Sequence, residues 1–296
     1  MTRLLRICFL ALAGTFSLCL LSACSVQQQL LRNVGDALSK ETSSTDDDLE
    51  LLMHASAYHL KISESLLDEV PDHVKLAESV SRGYTQYAFV FLMDEADRVE
   101  SDSIQKATHL RTRAAKMLTK AKNLGWRTLR LKYPSLELQL QHEVNDKNRS
   151  LASEHVGLAY WVMTSWAGAI SLSKDSPDLV ADLPQVIRLA ELAWKSQPEF
   201  DKGALASMMG TLELAKPNAN SETAEKFFNL SIQWRKDQIA PLVSKAENWA
   251  VATANKEAFV LLLQQAIELS TQQTDLTNSV MRRRAKWLLE NVENYF

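Results

Sequence analysis

The segment His155 to Ser173, HVGLAYWVMTSWAGAISLS, holds no Asp, Glu, Lys or Arg across nineteen residues. A helix that is apolar on every side has to be surrounded. Its serines, threonine and glycines make it less apolar than a bilayer span requires, so a second membrane anchor is the weaker reading and enclosure by other helices the stronger. The following segments supply such neighbours. Leu183, Val186, Ile187, Ala190, Ala193 and Trp194 recur at helical spacing while Arg188, Glu191 and Lys195 face away, which predicts a one-sided helix ending at Gln197-Pro198. Leu205, Met208, Met209 and Leu212 begin another, ending before Pro217. Helix, turn, helix, turn, helix is therefore the unit around which the rest must pack.

The N-terminus carries Arg3 and Arg6, an apolar run from Ile7 to Leu21, then Ser22-Ala23-Cys24. This is the pattern of a secretory signal peptide over residues 1–23. Leu21-Ser22-Ala23-Cys24 resembles the bacterial lipobox, in which the cysteine thiol takes a diacylglycerol and the peptide is cut before it. Ordinary cleavage with Cys24 a bystander is the competing reading. Two or three acyl chains, at about 0.8 kcal/mol per buried methylene, would anchor the chain permanently. Ser25 stands where an Asp would resemble an inner-membrane retention signal, which favours the outer membrane. Cleavage also removes Cys8 and Cys19, so Cys24 is the only mature cysteine and no intrachain disulfide can form. Loss of Arg3 and Arg6 leaves 31 basic against 36 acidic side chains, a balance that asks for no nucleic-acid partner.

Residues 24–47 read as a lipidated N-terminus with a weakly amphipathic piece, Val26 to Leu38, and a polar tether that lets residues 48–296 stand off as a single domain. That domain is expected to be all-α. A helix starting at Asp48 should run to Val70. A second should span His73 to Val99, and a third should run from Asp102 and stop near Gly125. Residues 126–145 alternate in places but read as short helix and loop, since isolated strands are marginal. Further helices are expected near 221–236, 241–253, 256–271 and 276–293. Ala114, Leu118 and Ala121, and again Ala224, Phe228 and Ser231, have the small, large, small spacing of a tetratricopeptide second helix. The expectation is helical hairpins stacked as a degenerate tetratricopeptide-like superhelix.

Tyr160-Trp161, Trp166, Ile170, Leu183-Pro184, Ala193, Pro198, Phe200 to Ala204 and Gly210 resemble the T component of tripartite TRAP transporters, often called TatT. The similarity continues more loosely through Ala224, Phe228, Ala266, Asn278, Ala285 and Leu288-Leu289. The resemblance implies a periplasmic, lipid-anchored, tetratricopeptide-like protein that assists uptake of small hydrophobic or anionic solutes. Its partner would be the solute-binding protein of a TRAP system, and a homo-oligomer is compatible with it. A helical-repeat scaffold of outer-membrane or cell-envelope assembly is the alternative from another class.

Catalysis is not expected. The six histidines are scattered, His142-Glu143 lacks the i+4 histidine of a helical zinc site, and the sequence has neither a Gly-rich phosphate loop nor a Gly-x-Ser-x-Gly elbow. No cofactor is called for. Charge is more informative: residues 41–100 hold 14 acidic and 4 basic side chains, whereas Lys106 to Lys132 hold nine basic and no acidic ones. The basic helix either packs beside the acidic pair or offers Arg111, Lys116 and Lys120 to an acidic partner or to lipid phosphate. Arg282-Arg283-Arg284 reads as a solvated helix face. The rings of Tyr160, Trp161 and Trp166, set among small residues, read as core or as the lining of a ligand channel.

Overall fold

Capping side chains start the helices where the sequence places them. In a computed structural model describing residues 28–40, 48–142, 150–270 and 276–296, the Asp48 carboxylate accepts from the Glu50 and Leu51 amides and opens α2 (Leu49–Glu69). His73 caps α3 (Val74–Tyr87) by accepting from the Leu76 amide, and Ser103 caps α5 (Ile104–Lys132). These side chains satisfy amide donors that the first turn leaves open. Ahead of them a short helix, α1, covers residues 28–38. The remaining elements are α4 (Asp94–Val99), α6 (Leu136–Gln141), α7 (Ser153–Ser171), α8 (Pro177–Val180), α9 (Leu183–Ser196) and α10 (Ala204–Ala215). They are followed by α11 (Ser221–Trp234), α12 (Ala240–Lys245), α13 (Lys256–Ser270) and α14 (Leu276–Glu290). The protein is all-α, with no strand among the described residues.

The uncharged segment is enclosed as its composition demands. α7 packs against α3, α5 and α9. Val156, Leu158, Ala159, Val162, Met163, Trp166 and Ala169 are all buried, covering most of its circumference. Among the described residues no helix is long and apolar enough to cross a membrane, which removes the membrane-anchor reading of this segment.

Two expectations need correction. The third helix does not stop at Gly125; it continues to Lys132. Gly125 lies where α5 crosses α3 and α7, and a Cβ there would meet Ser81 Oγ at 2.4 Å and Val162 Cγ2 at 2.6 Å. Close approach, rather than helix termination, is what the glycine supplies. The stretch after Trp126 is helix and loop, as expected: the end of α5 and the short α6, where Leu136 and Leu140, one turn apart, are buried while Leu138 is exposed. Two of the three arginines of α14, Arg283 and Arg284, are engaged in ion pairs and are not a solvated face, as described below. The weakly amphipathic piece is helical over 28–38 and rests on the domain; Cys24 and the polar tether at 41–47 lie outside the described residues.

α3 passes into α4 without a break through a π-helical turn, Ala88–Met93. The buried positions Tyr84, Ala88, Leu92 and Ala96 recur every fourth residue. In a regular α-helix each such step drifts by about 40°, and a widened turn takes up the accumulated excess. A second π turn, Ala246–Ala250, prolongs α12, where Leu242, Ala246 and Ala250 keep the same spacing.

Two hydrophobic cores result. One extends from Leu60 to Leu212 and the other from Ile239 to Leu288. α10 and α11 bridge them, with Phe228 packed on Gly210. Lys245 is buried between α11 and α12, where it donates to Glu225 at 2.9 Å and Asn229 at 2.8 Å. A second link is polar and brings residues far apart in sequence together. Arg283 reaches Asp94 at 2.6 Å, and Arg284 reaches Glu247 at 2.7 Å and Asp97 at 2.9 Å. The Arg284 Nη1 contact with Asp97 is out of line for a hydrogen bond and acts by charge. Arg284 also lies 4.8 Å over the Trp287 ring. Burial pushes the Glu247 carboxyl above the usual glutamate value despite the guanidinium beside it.

Arg284→Ala leaves the part-buried Glu247 without its cation, so it is expected to cost about 1–3 kcal/mol. Urea unfolding measures the loss, and hydrogen exchange should quicken at Leu263 and Leu288 while Leu158 stays protected. Unchanged stability would show that the polar link carries no weight.

Candidate functional site

The basic helix α5 distributes its charges by helical geometry. Arg111 and Lys120 are nine positions apart, about half a turn around the axis, and the structure sends them to opposite neighbours. Arg111 faces the acids at the end of α4 and grips Glu100 and Asp97, the latter at 3.0 Å. Lys120 faces α2 and meets Glu64 at 2.6 Å. Lys106 with Glu95, Arg127 with Asp68 and Lys132 with Asp72 continue the pattern. Most of the basic run therefore neutralises the acidic helices beside it, as the simpler sequence reading expects. Lys116 is exposed, and so is Arg113. Arg111, Lys116 and Lys120 do not form one patch.

A different grouping does. Lys116, Thr119, Lys120, Asn123, Leu124 and Arg127 line an open trough of about 470 Å³ along α5. Its wall on the α2 side is held by Glu64. Burial would raise that carboxyl, but hydrogen bonds from Lys120, Tyr84 and Lys61 outweigh burial and hold it at about 2. The Tyr84 hydroxyl, buried and donating to Glu64, is pushed well above its usual value. The Lys120 ammonium also lies 5.1 Å over the Tyr84 ring.

The three rings picked out on α7 fall into two groups. Tyr160 and Trp161 touch at 5.0 Å, and Tyr160 meets Phe200 at 5.2 Å. Burial, and then the Asp201 carboxylate, push the Tyr160 hydroxyl up to about 12. Phe200 begins a turn in which Asp201, Lys202 and Gly203 all have positive φ, at 45°, 49° and 103°. For Asp201 and Lys202 that backbone costs about 1–2 kcal/mol each. Trp166 lies elsewhere. It is 3 % exposed, packs 5.5 Å from Trp126 and donates from Nε1 to Asp182 at 3.0 Å. The Lys122 ammonium sits 4.3 Å over its ring. Burial there pushes Lys122 below the usual lysine value, opposed by the Asp182 carboxylate. Trp166 is thus a core ring with a polar edge, while Tyr160 and Trp161 are only half-buried.

Sequence reasoning missed Glu64, Lys122 and Asp182 as partners of these groups. Asp182 carried a signal, since it directly precedes the Leu183-Pro184 helix start. Among the described residues no group of three or more His, Cys, Asp or Glu side chains is placed to hold a metal ion.

A family model described as the TRAP transporter T-component matches residues 45–296. The chain belongs to that family. The match spans the whole helical domain from just before α2 to the last residue, and with it comes an accessory role in a TRAP transporter. No curated protein matches the chain. The T-component assignment covers both the trough on α5 and the Tyr160 group on α7.

Because Glu64 has a folded-state value of about 2, below its ordinary 4.5, its ionised form stabilises the fold above about pH 4.5 and that contribution fades as pH falls towards 2. Glu64→Gln is expected to cost about 1–3 kcal/mol at neutral pH. Urea unfolding across acid pH should show the gap between variant and wild type closing. A pH-independent gap would contradict the assignment.

Proposed function

We propose that the chain is a lipid-anchored accessory on the periplasmic side of a bacterial outer membrane that docks the solute-binding protein of a TRAP system. The family match across the helical domain carries this reading, and the lipobox-like Leu21-Ser22-Ala23-Cys24 supports its placement. The hairpins are read as degenerate tetratricopeptide-like units, and the protein as a binder rather than an enzyme.

The docking face assigned to the partner is the trough on α5. Lys116 and Asn123 are exposed along it, and Lys120 and Arg127 edge it while held by Glu64 and Asp68. Such a face suits an acidic partner, because complementary charge steers encounter. The small hydrophobic or anionic ligand is assigned to the half-buried Tyr160, Trp161 and Phe200 rather than to Trp166. The adjoining left-handed turn supports that choice, since strained backbone gathers at ligand clamps and switch regions.

Lys116→Glu should weaken the complex with a TRAP solute-binding protein by about three- to tenfold at low ionic strength, and less at high salt. Titration calorimetry measures this, with circular dichroism confirming intact helix. Equal affinity at low salt would remove α5 as the docking face. Cys24→Ser should abolish incorporation of labelled fatty acid; label retained in that variant would sink the anchor reading.

A further inference from the structure

We propose that α1, together with the end of the domain to which it is pinned, forms a surface that lies against the boundary between phospholipid headgroups and acyl chains. The proposal rests on the lipid anchor read at Cys24.

α1 is a fixed part of the domain. The Arg32 guanidinium meets Asp72 at 2.7 Å. His73 accepts the Leu76 amide at Nδ1, so Nε2 carries the ring proton and donates it to the Arg32 carbonyl at 3.2 Å. Gly35 sits so close to the His73 ring that a Cβ would meet Nε2 at 3.1 Å, and Leu31 and Leu38 pack on the main core. With that side committed, the other presents Leu30 at 62 % and Val34 at 43 % exposure, one helical turn apart.

The chain's reach decides what covers them. Cys24 precedes Leu30 by six residues, a span of at most about 20 Å even when fully extended. A thioether-linked diacylglycerol holds the cysteine at the bilayer surface, so α1 cannot stand far from it. The same end of the domain carries the close of α5 and the start of α6, with Lys132 sharing Asp72 with Arg32. There Leu131 is 53 % exposed and Leu138 63 %. These four exposed apolar side chains lie on α1, α5 and α6, which Asp72 and Glu137 tie together at the end nearest the anchor. Leu51, at the start of α2, is about 30 Å away along that helix.

Charge adds little to this contact. Arg32 and Lys132 are committed to Asp72, and Arg130 to Glu137 at 3.2 Å. The surface should therefore engage lipid through apolar burial, with little dependence on salt or on anionic lipid. It would also fix the orientation of the domain, turning the join between α4 and α14 away from the bilayer.

The test uses the mature, full-length chain reconstituted into phosphatidylethanolamine and phosphatidylglycerol vesicles that contain spin-labelled quencher lipid. Acylation leaves no other free thiol, so Leu30→Cys, Val34→Cys, Leu138→Cys and the distant control Leu51→Cys can each be labelled with a polarity-sensitive fluorophore. Quenching should be at least about threefold greater at positions 30, 34 and 138 than at 51, at low and at high salt alike. Mass spectrometry of the same preparations reports whether Cys24 carries lipid. Lipid on Cys24 with equal quenching at all four positions overturns the surface and leaves the anchor standing. An unmodified Cys24 overturns the anchor reading, and the surface falls with it.

Discussion

Enclosing α7 is the constraint on which the arrangement depends. A helix with no charge beyond Glu154 in its first turn can lie neither on the surface nor, with its serines and glycines, comfortably in lipid. α3, α5 and α9 are set by the need to cover it, and small residues set how closely they do so. Gly125 brings α5 into near contact with Val162 and Ser81. The cost of a cavity in such a core, about 2–5 kcal/mol for one large side chain, explains why its rings serve packing first. Trp166 illustrates this: its indole fills the core while its one donor is satisfied by Asp182.

Apolar periodicity was the most legible property of the sequence. It located the helices of the C-terminal third and the small, large, small triplet Ala114, Leu118 and Ala121, all fully buried. What it could not show is which signal wins where two compete. Gly125 is both a common helix stop and a means of close approach, and only the neighbouring helices α3 and α7 reveal the second role. Polar pairing was the least legible property. Arg283 and Asp94 are separated by most of the domain in sequence, so the arginine run of α14 looked like an ordinary wet face. On α5 the half-turn between Arg111 and Lys120 follows from counting residues, yet it weakens the three-residue patch only once the acids of α4 and α2 are seen on either side.

The division of labour between apolar and charged contacts shapes the whole molecule. Each core is internally hydrophobic, and the cores are tied together by Phe228 on one path and by the contacts of Arg283 with Asp94 and Arg284 with Asp97 on the other. Apolar burial is indifferent to salt, whereas charge contacts are screened by it. Ionic strength therefore acts more on exposed pairs such as Lys106–Glu95 and Arg127–Asp68 than on the part-buried contacts of the join between α4 and α14. A chain with two cores of this kind need not unfold as a single cooperative unit. The T-component family match spans both cores and the join between them.

The two π turns give the join a dependence on chain length. Asp94 follows directly on Ala88–Met93, and Glu247 lies inside Ala246–Ala250, so the carboxylates that hold Arg283 and Arg284 take their heading from widened turns. Each such turn carries about one residue more than a regular helical turn. Deleting that residue leaves composition, charge and helix content almost untouched, yet rotates everything beyond it by about 100°. Asp94 and Asp97 would then point away from the arginines of α14. In this protein the spacing of the chain is as much a determinant of the charge network as the charges are, and an alignment that scores only residue identity would pass over it.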